Sequence, residues 1–160
     1  WTNAVSYQGS IYVPLGAGGL APRSKILTLL RHEYMHAAVY ALSDGRCPGW
    51  IDEGLAQWFE GRPGTRVSAA LRRWLRNNGP IPLSELQHGF INLGEEKAKA
   101  AYAQSLFAVT DIMQTYGAAS LRRYFARLSA GEWPPAAFSS SFGLSLRAFE
   151  QRLRIKLGKV

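Results

Sequence analysis

Leu30-Arg-His-Glu-Tyr-Met-His-Ala37 decides how this chain is read. His32 and His36 stand four residues apart with Glu33 between them, and on an α-helix positions i and i+4 lie one above the other on the same face. Two imidazoles at that spacing can converge on one metal ion without bending the backbone. Glu33 falls about 100° round the helix from His32, close enough to address a water beside the metal instead of the metal itself. The HExxH pattern therefore predicts a zinc site with two ligands and a base. A pattern with three fixed letters also arises by chance, and the competing reading makes His32 and His36 ordinary helix-face histidines.

Outward from that stretch, Trp50-Ile-Asp-Glu-Gly-Leu-Ala56 places Glu53 at the start of a second helical pattern. A catalytic zinc takes three protein ligands and keeps one position open, and His-His-Glu is one of the known sets. Glu53 is thus the expected third ligand. Asp52 beside it and Gln57 one turn later are candidates to hold the ligands from behind, with a plain surface glutamine as the other reading of Gln57. Cys47, between the second and third ligands, is expected to be a small buried thiol without a metal role. His88 is expected to be a loop histidine and no ligand.

HEYMH followed by WIDEGLAQWF resembles the gluzincin metallopeptidases, whose third ligand is a glutamate on the helix after the HExxH helix. Trp50-Ile-Asp-Glu-Gly-Leu-Ala56 is similar to the W-L-x-E-G-x-A signature of the peptidase MA-like families and the related zinc aminopeptidases. Ala101-Tyr-Ala-Gln-Ser-Leu-Phe107 resembles their Y-x-[KQ]-[GS] segment, which carries a tyrosine pointing into the active site. Phe142-Gly-Leu-Ser-Leu-Arg-Ala-Phe-Glu150 also resembles the C-terminal helix of the peptidase MA-like families. The resemblance implies a zincin-like metallopeptidase domain with bound Zn2+ and a peptide or protein substrate. It gives Tyr102 an active-site role, whereas helical periodicity alone sets Tyr102 on a buried apolar side.

The implied chemistry is peptide-bond hydrolysis. Zinc held by His32, His36 and Glu53 lowers the pKa of a water and polarises the scissile carbonyl. Glu33 passes the water proton to the leaving amine, and Tyr102 hydrogen-bonds the oxyanion. The aminopeptidase relatives carry a G-x-M-E-N segment whose glutamate binds the free amine of the substrate. Here that region reads Tyr7-Gln-Gly-Ser-Ile-Tyr-Val13 and contains no acid, so an endopeptidase is favoured over an aminopeptidase. The alternative from another class is a non-catalytic zinc-containing domain that binds peptides or cell-surface polymers.

A chain of 160 residues, 47% hydrophobic and 12% aromatic, has the material for one packed domain. We expect a single domain over 1–160, with about 1–61 carrying a strand and the two ligand helices and about 62–160 a helical part. The expected class is α+β, predominantly helical. No run of eighteen apolar residues is present, so no transmembrane segment is read. The start at Trp1 suggests a chain cut from something longer, which leaves the compartment open, with an extracytoplasmic or membrane-associated setting favoured. A formal charge of +8 favours acidic partners, but the basic residues are dispersed and no nucleic-acid motif accompanies them, so nucleic acid is not favoured. Nothing in the sequence fixes an oligomeric state.

The elements follow from local signals. Tyr7 to Val13 reads as a short edge strand, ended by Pro14 and a loop through Gly16, Gly18 and Gly19; the resemblance implies a strand along the cleft, and a plain edge strand is the other reading. Ser24 reads as the N-cap of a helix running to about Leu42 and stopped by Asp44-Gly45. The second helix is expected from about Asp52 to Gly61. A third is expected to be capped by Thr65 and to run to Asn77, then a short turn with Ser84 and Gln87 spaced as a capping box. Further helices are expected over about 95–116, ended by Gly117, and over 121–128. Gly131 to Pro135 reads as a turn, Ser139 to Ser141 as a polar loop, and Ser145 as the cap of a terminal helix.

Overall fold

The computed structural model describes residues 5–7, 10–12, 23–61 and 67–158. Six α-helices and one short 3-10 helix account for most of them. Helix α1 (Arg23–Ser43) holds the HExxH stretch and stops where Asp44 and Gly45 turn left-handed in succession, at φ 51 and 67. The Gly45 N–H then caps the helix by donating to the Tyr40 carbonyl at 3.0 Å. Helix α2 (Gly49–Phe59) starts behind Pro48, whose φ of −60 suits a helix entry, and ends before Gly61.

Helix α3 (Ala69–Asn78) is capped by the Ser68 hydroxyl, which accepts from the Leu71 N–H at 3.2 Å. The 3-10 helix Leu83–Leu86 leads into α4 (Glu95–Ser129), which breaks at Gly117 (φ 71, ψ 171). Helix α5 (Pro134–Phe142) opens on two prolines, whose missing N–H groups cost nothing in a first turn. Helix α6 (Leu146–Leu157) is capped by Ser145, which accepts from the Ala148 N–H at 3.1 Å.

Helix α4 is the central element, with α1, α2, α3 and α5 all packed on it. One face of α2 supplies Trp50, Ile51, Leu55 and Ala56, each at most 3% exposed. The Trp50 ring stacks on Phe149 of α6 at 5.9 Å between centroids, and Phe138 of α5 adjoins both. Gln104 of α4 ties in the chain ahead of the 3-10 helix: it accepts from the Ile81 N–H at 2.9 Å and donates to the Ile81 carbonyl at 2.6 Å. Helix α6 is locked to α4 by Arg152 and Lys156, both of which pair with the buried Asp111 carboxylate.

The closest helix contact is between α2 and α4. A Cβ built on Gly54 would stand 2.5 Å from both the Ser105 carbonyl oxygen and the Val109 Cγ2, so only glycine lets these backbones approach so far. Glu53, the preceding residue, is thereby fixed against α4.

Several expectations are corrected. The class is helical and not α+β: the strands among the described residues are β1 (Val5–Tyr7) and β2 (Ser10–Tyr12), three residues each. Among the described residues they pair only with each other, Val5 opposite Tyr12, and both contact α1; of the edge strand expected from Tyr7 to Val13, Tyr7 ends β1, Ser10–Tyr12 forms β2, and Gln8 and Gly9 lie outside the described residues. Two strands of that length cannot form a core layer, and helices build the core in their place. Val13, Pro14, Gly16, Gly18 and Gly19 lie outside the described residues.

Ser24 lies inside the first turn of α1 and is not its cap. Thr65 also lies outside the described residues, and the cap of α3 is Ser68. Ser84 and Gln87 form no capping box, because Pro82 precedes a 3-10 turn. Ser139 to Ser141 belong to α5, where Ser139 satisfies its hydroxyl by donating to the Pro135 carbonyl at 3.0 Å.

Gly54→Ala is expected to push α2 off α4 and to cost about 1–3 kcal/mol, the usual range for overpacking a tight core. Urea unfolding followed by tryptophan fluorescence measures it. An unchanged midpoint would mean that the close approach at Gly54 is not structurally required.

Candidate metal centre

His32 and His36 lie one turn apart on α1, and α2 crosses them so that Glu53 faces both. The two Nε2 atoms are 3.0 Å apart, and Glu53 Oε2 lies 3.9 Å from each. A tetrahedral zinc with ligands at about 2.0–2.1 Å sets its donor atoms about 3.3 Å from one another, which these distances bracket. The rings meet edge to face, with centroids 4.6 Å apart. Glu53 Oε2 is buried and has no hydrogen-bond partner among the described residues. An orphaned carboxylate oxygen facing two imidazole nitrogens is what a cation-binding donor set looks like.

Each ring has a carboxylate on its far side. His32 Nδ1 is hydrogen-bonded to the Glu60 carboxylate, and His36 Nδ1 lies 2.9 Å from Asp52 Oδ1. A carboxylate accepts, so each Nδ1 is placed to donate and the Nε2 side of each ring is turned toward Glu53. The two Nε2 atoms, 3.0 Å apart, can share one proton or turn together toward one cation.

Charge concentrates here. Glu33, 6% exposed, joins Asp52 and Glu53 in acting on His36. Burial lowers the His36 pKa, but the Asp52 hydrogen bond and the charges of Asp52, Glu53 and Glu33 outweigh it, and the net shift is upward. Burial raises the Glu53 pKa, the two histidines pull it back, Asp52 and Glu33 push it up, and the net shift is upward. A divalent cation among these donors offsets both the burial and the crowding of carboxylates.

Tyr102, on the first arm of α4, is 36% exposed and not on the buried side that periodicity suggests. The buried stripe of α4 runs through Ala101, Ser105, Ala108 and Ile112, and Tyr102 stands at its edge. Its ring packs edge-on against Phe90, with centroids 4.9 Å apart. Burial, then the charges of Glu53 and Glu33, raises the pKa of its phenol, which therefore stays protonated and able to donate.

Gln57 is buried, but its amide touches no carboxylate. It donates to two backbone carbonyls, that of Glu53 at 3.1 Å and that of Tyr102 at 2.9 Å. Cys47 stands outside the donor set: its thiol donates to the Pro48 carbonyl at 3.6 Å, and burial pushes its pKa well up. His88 is exposed and belongs to no donor cluster among the described residues. Glu60 is the residue that the sequence reading missed. The available signal was its position seven residues after Glu53, two turns along the same helix face.

Comparison with curated proteins and with solved structures gave no match. Comparison with protein families did, matching the peptidase MA superfamily over residues 1–158. That superfamily stands for metallopeptidase-like hydrolases, typically metal-dependent, and implies a peptide or protein substrate. No helix among the described residues is long and apolar enough to cross a membrane. Since the match runs through every element described, the chain belongs to the peptidase MA superfamily.

Proposed function

We propose that this chain is a zinc-dependent peptidase of the gluzincin type that cleaves within polypeptides. The observation that carries the proposal is the buried Glu53 Oε2, which faces the two Nε2 atoms of HExxH and has no hydrogen-bond partner among the described residues. His32, His36 and Glu53 are its ligands. Zinc held there supplies Lewis-acid activation of water and polarisation of the substrate carbonyl.

The remaining work falls to side chains of this chain. Glu33 accepts a proton from the attacking water on its carboxylate and returns it to the departing amine. The Tyr102 hydroxyl donates to the oxyanion that develops as the carbonyl is attacked, which requires the protonated phenol that its surroundings favour. Asp52 and Glu60 keep the imidazoles in the tautomer that leaves Nε2 free. Cleavage within chains is favoured over removal of N-terminal residues because Tyr7 to Val13 offers no acid to bind a free amine.

Glu33→Gln is expected to keep its zinc while hydrolysis of a casein substrate falls by about 10²–10⁴-fold, the usual share of a general base. Metal analysis and a cleavage assay on the same sample test this. Activity within about tenfold of the parent would remove Glu33 as the base.

Glu60→Ala is expected to weaken zinc binding by about 10–100-fold, because the His32 ring loses the acceptor that orients it. Competition with a chromogenic chelator reads the affinity. An affinity equal to that of the parent would reduce the Glu60–His32 contact to a bystander.

A further inference from the structure

Tyr102 has to stand at one place beside Glu53 for the proposed chemistry, yet its side chain is 36% exposed and rests on Phe90 alone among the ring contacts described. Its position therefore depends on where its backbone is held as well as on its own packing. The contact between α2 and α4 at Gly54 is van der Waals packing, which holds the helices close but resists sliding poorly. Directional hydrogen bonds fix what packing leaves free.

Gln57 supplies them. Its amide nitrogen has two hydrogens in a rigid plane, and one donates to the carbonyl of Glu53 while the other donates to the carbonyl of Tyr102. The side chain is 3% exposed, so water does not compete. We propose that Gln57 is a positioning residue whose single amide ties the backbone of the ligand Glu53 to the backbone of Tyr102, setting where the phenol stands over the site. The inference rests on the peptidase reading given above and extends it to the placement of the oxyanion donor.

The clamp can be removed without breaking the fold. Both carbonyls lie inside helices and keep their own backbone partners four residues on, so losing the amide orphans no acceptor. Gln57→Met keeps length and approximate volume while deleting both donors, and Gln57→Leu repeats the deletion with a different shape.

Two readouts test the clamp. In the metal-free protein labelled with 3-fluorotyrosine, the Tyr102 resonance, assigned by its loss in Tyr102→Phe, is expected to shift and broaden in either Gln57 variant. A superimposable Tyr102 resonance in both variants overturns the proposal. In the zinc-loaded protein, Gln57→Met is expected to lower kcat by about 10–100-fold, the scale for a misplaced group, with KM and zinc affinity unchanged. Placed on Tyr102→Phe, the same change is expected to lower kcat no further, because the group it positions is already gone. An equal loss in both backgrounds overturns the proposal. A parent chain that binds no zinc or cleaves no peptide sinks the peptidase reading instead, while the fluorine spectra still decide whether Gln57 positions Tyr102.

Discussion

The close approach of α2 to α4 at Gly54 is the constraint on which the rest of the structure depends. Any Cβ there would collide with the Ser105 carbonyl and the Val109 side chain, so the two helices meet backbone to backbone. That contact holds Glu53 where α2 meets α4, with its carboxylate toward the HExxH face of α1. The glycine after the ligand glutamate is thus a packing requirement with a chemical result. Trp50, fully buried against Phe138 and Phe149, anchors the start of the same helix in the aromatic core formed with α5 and α6.

Around that junction the charge distribution runs against that of the whole chain. The formal charge is +8, yet Glu33, Asp52, Glu53 and Glu60 all gather about two imidazoles. Burying carboxylates costs free energy unless cations or donors repay it. Here the two rings take one carboxylate each on their Nδ1 side and leave Glu53 Oε2 facing their Nε2 side without a hydrogen-bond donor among the described residues. Four carboxylates around two imidazoles make a donor set that a cation would suit.

Much of this was legible in the sequence because it rests on short-range geometry. The i, i+4 spacing of His32 and His36 and the placement of Glu53 and Asp52 on the next helix follow from helical periodicity and from resemblance. Gly117 was readable as a stop, and Ser145 as a cap. What was not legible depends on how helices cross. Gln57 makes its bonds to carbonyls of two different helices, and Glu60 reaches His32 only because α2 lies across α1 at one angle. Periodicity alone set Tyr102 on the buried side because the buried face of α4 is broad, taking in Ala101 and Ser105 as well as Leu106 and Val109, and a long, weakly amphipathic helix does not mark where that face ends. The β-forming residues of the N-terminal stretch led to a sheet, but a strand is defined by its partner, and three-residue strands find one only in each other.

X-ray absorption at the zinc edge of the zinc-loaded protein tests the central claim most directly, since it reports the atoms around the metal independently of any reaction. The account predicts only nitrogen and oxygen neighbours at about 2.0–2.1 Å, with outer-shell scattering from two imidazoles. A sulfur neighbour at about 2.3 Å would bring in Cys47, and a third imidazole would bring in His88. Either would contradict a centre built from His32, His36 and Glu53.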